Sequence, residues 1–172
     1  MASCGPRAPG PKPGETLFWK VVKSEVSISN CTDDPSFRDD IQPVAFDENT
    51  YLIYRVEKDG TQATALKCET FDTRSCTPSD SGIVFNVAGN ELNFTRERKS
   101  PIGGEGCNTQ VIETWLLTDQ GQTLDMEVSS TITLVDDDVA CQRVEDQLIQ
   151  QSPNATGLQG CVVRFIVGGA LR

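Results

Sequence analysis

From residue 16 onward apolar and polar residues alternate with period two, the spacing of strands that bury one face and wet the other. The clearest stretch runs from Leu124 to Val135: Leu124, Met126, Val128, Ile132 and Leu134 share one face, interrupted by Ser130, and Asp125, Glu127, Ser129, Thr131 and Thr133 share the other. So long an alternation predicts one extended strand of a curved sheet. Val111 to Thr118 and the turn Asp119-Gln120-Gly121-Gln122 precede it and complete a long hairpin. A second hairpin joins Ile83–Val87 to Glu91–Thr95 across Ala88-Gly89-Asn90. A third joins Tyr51–Val56 to Thr61–Leu66 across Lys58-Asp59-Gly60, with Asp-Gly as its turn signal. The first strand, Leu17 to Ser29, changes parity at Val21-Val22, which predicts a bulge. The last, Cys161 to Val167, is apolar on both faces and is expected to end at Gly168-Gly169.

One segment breaks the rhythm. Between Val139 and Gln151, Cys141, Val144 and Leu148 recur at helical spacing, with acids before and Ser152-Pro153 after, so an amphipathic helix is expected there. The pattern therefore predicts an all-β fold of about eight strands in meandering hairpins, with one short helix between strands seven and eight. Such antiparallel sheets hide their edges by closing, and an up-and-down β-barrel is the expected architecture, with a β-sandwich as the alternative. Residues 16–172 read as a single domain. Residues 1–15 are a Pro/Gly-rich tether whose extended part would span roughly 30 Å.

An N-terminal strand bearing Trp19, an up-and-down meander and a helix before the closing strand resemble the lipocalin and wider calycin barrels in architecture. Leu17 stands where that family has the glycine of Gly-x-Trp. The resemblance implies a ligand held inside the barrel and a late arginine, here Arg164, packed over Trp19. A second resemblance lies at Ala2-Ser3-Cys4-Gly5, which is similar to the processing site of bacterial lipoproteins. It implies lipidation at Cys4 and anchoring at the cell envelope, in the outer membrane, with a secreted protein as the alternative.

The chain has seven cysteines and no histidine. Setting Cys4 aside, the even set Cys31, Cys68, Cys76, Cys107, Cys141 and Cys161 reads as three disulfides formed in an oxidising compartment. Cys68 and Cys76 flank a polar loop and are expected to pair. Cys141 on the helix is expected to pair with Cys161 at the next strand, and Cys31 with Cys107 by elimination. The absence of any CxxC pair or histidine argues against a zinc site.

Composition removes other classes. A formal net charge of -10 disfavours nucleic acid as a partner, and Arg96-Glu97-Arg98-Lys99 reads as a solvated turn. No apolar run approaches the roughly 18 residues of a membrane helix, so any membrane contact is expected through a lipid anchor alone. Without histidine the Ser-His-Asp and Cys-His arrangements cannot form within the chain, no cofactor motif occurs, and the protein is expected not to be an enzyme. Glu113 is expected to face outward on its strand. Asp136-Asp137-Asp138 is expected to start the helix rather than to hold calcium. Asn30-Cys31-Thr32, Asn93-Phe94-Thr95 and Asn154-Ala155-Thr156 match glycosylation sequons.

What remains is the barrel interior. Tyr54, Phe85, Trp115, Met126 and Val128 occupy positions expected to face inward, either as packing or as the lining of a site for a small apolar ligand. The sequence thus points to a disulfide-stabilised envelope barrel that binds a small apolar ligand. The alternative is a structural or interaction module with a filled core and an envelope protein as partner.

Overall fold

The structure is a computed structural model, and it describes residues 8–29, 47–48, 50–103, 106–151 and 157–172. Among the described residues nine strands form in chain order: β1 (Thr16–Ser29), β2 (Tyr51–Val56), β3 (Gln62–Cys68), β4 (Cys76–Pro78), β5 (Val84–Ala88), β6 (Glu91–Pro101), β7 (Cys107–Asp119), β8 (Thr123–Asp136) and β9 (Cys161–Leu171). One helix, α1 (Asp138–Gln151), lies between β8 and β9. Every pairing is antiparallel, and each barrel strand pairs with its sequence neighbours until β9 returns to β1. Eight strands thus close a barrel, and the short β4 adds only to β3. Closure of β1 on both β2 and β9 excludes the sandwich.

The alternation decides which residues point inward. Along β8, Leu124, Met126, Val128, Ser130 and Ile132 are buried, while Asp125 and Glu127 are exposed. The inward residues of all eight barrel strands join one core, to which Cys141, Val144 and Leu148 of α1 add their stripe. The expected bulge is present, since β1 slips by one residue against β9 between Val21 and Lys23.

β9 does not stop at its glycines. It continues through Gly168 and Gly169 to Leu171. A Cβ on Gly169 would come within 3.3 Å of the Leu124 Cβ and 3.4 Å of the Trp19 Cβ. Glycine here admits close approach of two strands inside the sheet, a role that sequence cannot separate from a turn. Arg96-Glu97-Arg98-Lys99 is likewise no turn: it lies within β6, which pairs with β7 as far as Pro101 and Asn108. Arg164 does not pack over Trp19 as the family resemblance implied. It pairs across from Ser129 and Ser27 and forms an ion pair with Glu127 at 3.0 Å.

Cys68 and Cys76 are bridged, as expected from the loop they flank. The other expected pairs are not formed, because Cys107 is bridged to Cys141. The register explains the exchange. Cys107 opens β7 directly opposite Asp136, two residues before α1 begins, so the first turn of the helix stands over it. Cys161 is also disulfide-bonded; Cys4 and Cys31 lie outside the described residues, as do the sequons at Asn30 and Asn154. Asn93, of the third sequon, is exposed on β6.

The two aspartates before the helix have separate duties. Asp137 accepts a hydrogen bond from the Ala140 amide and starts the helix. Asp136, at φ 85°, accepts hydrogen bonds from Lys99 and Asn108, tying β8 to β6 and β7. Those hydrogen bonds, led by the one from Lys99, hold its carboxyl below the ordinary 3.8. A depressed carboxyl stabilises the fold above its unfolded pKa, and that contribution is lost as pH falls through the folded value. Asp136→Asn is therefore expected to flatten the loss of stability on acidification below about pH 4. Urea titrations of both proteins at pH 6 and pH 2.5 test this; equal acid losses would contradict it.

Candidate functional site: a charged row inside the barrel wall

The inward face of the long strands is apolar at one level and charged at the next. In the apolar row, Phe94, Trp115, Val128, Phe165 and Val26 stand opposite one another from β6 to β1. Directly cross-strand residues share a face. Phe85 joins this row to Tyr54, its ring centroid lying 6.2 Å from that of Trp115 and 6.3 Å from that of Tyr54. Tyr54, Phe85, Trp115, Met126 and Val128 are all buried members of the core. They are brought together in one cluster.

The next row reads Arg96, Glu113, Ser130 and Val163. Glu113 does not face outward. Its carboxylate is buried inside the barrel, where it accepts hydrogen bonds from the Trp115 indole at 2.6 Å and from Arg96 Nη2 at 3.1 Å. Arg96 Nη2 also lies 2.9 Å from the second carboxylate oxygen, and Arg98 Nη2 pairs with the group at 3.7 Å. Positions 96, 98 and 113 carry this site because the period of two sets Arg96 and Arg98 on the face of Leu92 and Phe94, and Glu113 on the face of Trp115. A buried carboxylate survives only with partners of this kind, since desolvating a lone charge is prohibitive.

The supply of charge and hydrogen bonds is uneven. Two guanidinium groups meet one carboxylate. The hydroxyl of Ser130 and Nε of Arg96 are buried and lack a hydrogen-bond partner. Beyond Val21, moreover, the register pairs β1 with β9 alone among the described residues, because β2 covers only Thr16 to Lys20. Val26 belongs to the inner row, yet it is 56% exposed. Among the described residues, no strand covers the barrel wall on that side of it.

No protein-family model, curated protein or solved structure matches the chain.

A second feature sits on the outside. The bridged loop from Cys68 to Cys76 is braced by paired contacts of Arg74 with Asp72, by the Ser75 hydroxyl and by Arg55 on the Thr73 carbonyl. It presents Phe71, which touches the rings of Phe18 and Tyr51 and lies 3.3 Å beneath the Arg172 guanidinium. A groove of about 400 Å³ runs between Phe71, Tyr51, Ile53 and Leu66. Among the described residues no cluster of three or more potential metal ligands occurs, and no helix is long and apolar enough to cross a membrane.

Continuing the period of two from Leu92 and Phe94 to Arg96, and from Trp115 back to Glu113, is the signal that would have set both on inward faces. What hid the site was the ordinary expectation that charged strand residues face water.

Proposed function

We propose that this protein is a non-enzymatic binding barrel of an oxidising compartment that takes up a small molecule with an apolar body through the opening beside β1. The observation that carries the reading is Val26, which shares the inner face with Phe165 and is nevertheless exposed. An apolar inner wall that meets solvent at one point is how a small barrel admits a single ligand. The bridges Cys68–Cys76 and Cys107–Cys141 support a location outside a reducing cytosol. The proposal extends to the cell envelope, with Cys4 as the lipid-bearing residue, and a secreted protein is the alternative.

N-phenyl-1-naphthylamine, a neutral dye that brightens in apolar surroundings, tests the reading. Saturable binding to the native protein at one site is expected. Val26→Gln, which leaves the buried core untouched, is expected to weaken it about fivefold, the equivalent of about 1 kcal/mol of lost apolar contact. Uptake that never saturates, or equal affinity in the variant, would count against it.

The second reading is a protein-interaction module working through the Phe71 loop. It is favoured by a rigid, disulfide-braced turn presenting an exposed aromatic with a cation on its face.

A further inference from the structure

We infer that the ligand carries an acidic group, and that Arg98, Arg96 and Ser130 hold it at the charged row of the barrel wall. This rests on the binding-barrel reading and adds the chemistry of the ligand. Among the described residues, the charged side chains of this row and its neighbour are Arg96, Arg98 and Glu113, which leaves one positive charge in excess.

The geometry shows where that excess resides. Glu113 already accepts from Trp115 and Arg96, and Arg98 stands 3.7 Å away, an ion-pair distance too long for a hydrogen bond. With its side chain 46% exposed, Arg98 keeps donors available to solvent. Arg96 Nε and the Ser130 hydroxyl add two buried donors without partners. They flank Glu113 on β6 and β8, on the same inner face. A buried hydroxyl left without a partner is destabilising, and an acceptor oxygen recovers that loss. Guanidinium groups prefer carboxylate, sulfonate or phosphate oxygens, which accept two bonds at once. The adjacent row, Phe94, Trp115, Val128 and Phe165, is apolar, so the group it receives belongs to an amphiphile: an oxyanion head on an apolar body. Glu113 keeps a role without touching ligand. It draws the two arginines inward from β6.

Two dyes with the same aromatic body separate this inference from the reading beneath it. 1-Anilinonaphthalene-8-sulfonate carries the anion, and N-phenyl-1-naphthylamine lacks it. The sulfonate is expected to bind natively folded protein at least tenfold more tightly than the neutral dye. Arg98→Gln should remove most of that preference while leaving the neutral dye unchanged. Ser130→Ala, which deletes an unpartnered hydroxyl and keeps the fold, should reduce sulfonate affinity several-fold, with near-ultraviolet circular dichroism confirming native packing. If both dyes bind saturably with equal affinity, or if Arg98→Gln and Ser130→Ala weaken both alike, the acidic head is wrong and the binding barrel stands. If neither binds saturably, both fail.

Discussion

Glu113→Gln is expected to lower the unfolding free energy by about 3 kcal/mol, near the bottom of the range for removing one partner of a buried ion pair. The carboxylate is 1% exposed and the Arg96 side chain 29%. The neutral amide thus leaves a guanidinium held against the barrel interior with no counter-charge. Arg98 suffers less, being half in water and able to turn outward on its long stem. The pair itself is a weak source of net stability, because desolvation offsets most of its attraction. Glu113→Met with Arg96→Met should therefore recover most of the loss. Urea unfolding followed by tryptophan emission measures both. A single variant within 0.5 kcal/mol of the parent would show that the carboxylate is not holding charge in the wall.

The bridge between Cys107 and Cys141 is the second large term. It closes a sequence separation of 34, against 8 for Cys68–Cys76. Restricting the unfolded chain over the longer loop corresponds to about 4 kcal/mol, and over the shorter to about 2.5 kcal/mol. Cys107→Ser with Cys141→Ser is expected to cost the larger amount and to free α1 from the β7–β8 end of the barrel. Unreduced peptide mapping supplies the covalent check, with Cys107 and Cys141 expected in one linked peptide. A double variant less costly than Cys68→Ser with Cys76→Ser would mean that the helix bridge constrains little.

Much of the barrel was legible in the chain because its information is local. Period-two alternation names the inward residues of β8 before any partner strand is known, and Asp59-Gly60 or Asp119 to Gln122 mark the turns that set the hairpins. The spacing of Cys141, Val144 and Leu148 announces the helix and its buried stripe for the same reason. The errors share one cause. Gly168 and Gly169 resemble a strand end unless Trp19 and Leu124 are known to approach them. The basic run resembles a turn unless β7 is known to pair along its full length.

Cysteine pairing shows the division clearly. Cys68 and Cys76 are joined by a short loop, so sequence proximity sufficed. Cys107 meets Cys141 only because the β7–β8 register sets Cys107 opposite Asp136, at the foot of the helix.

By itself the sequence determined the eight barrel strands to within their ends, the helix, the apolar residues of their inward faces and an oxidised cysteine framework, because periodicity and turn chemistry act over a few residues. The tertiary structure alone decided which cysteine faces the helix and that Val26, on the inner face, is exposed. It alone brought Arg96, Glu113 and Ser130 from three strands into one row. Each of these depends on register between segments distant in the chain, and a charged side chain enters the core only when such register delivers its partner.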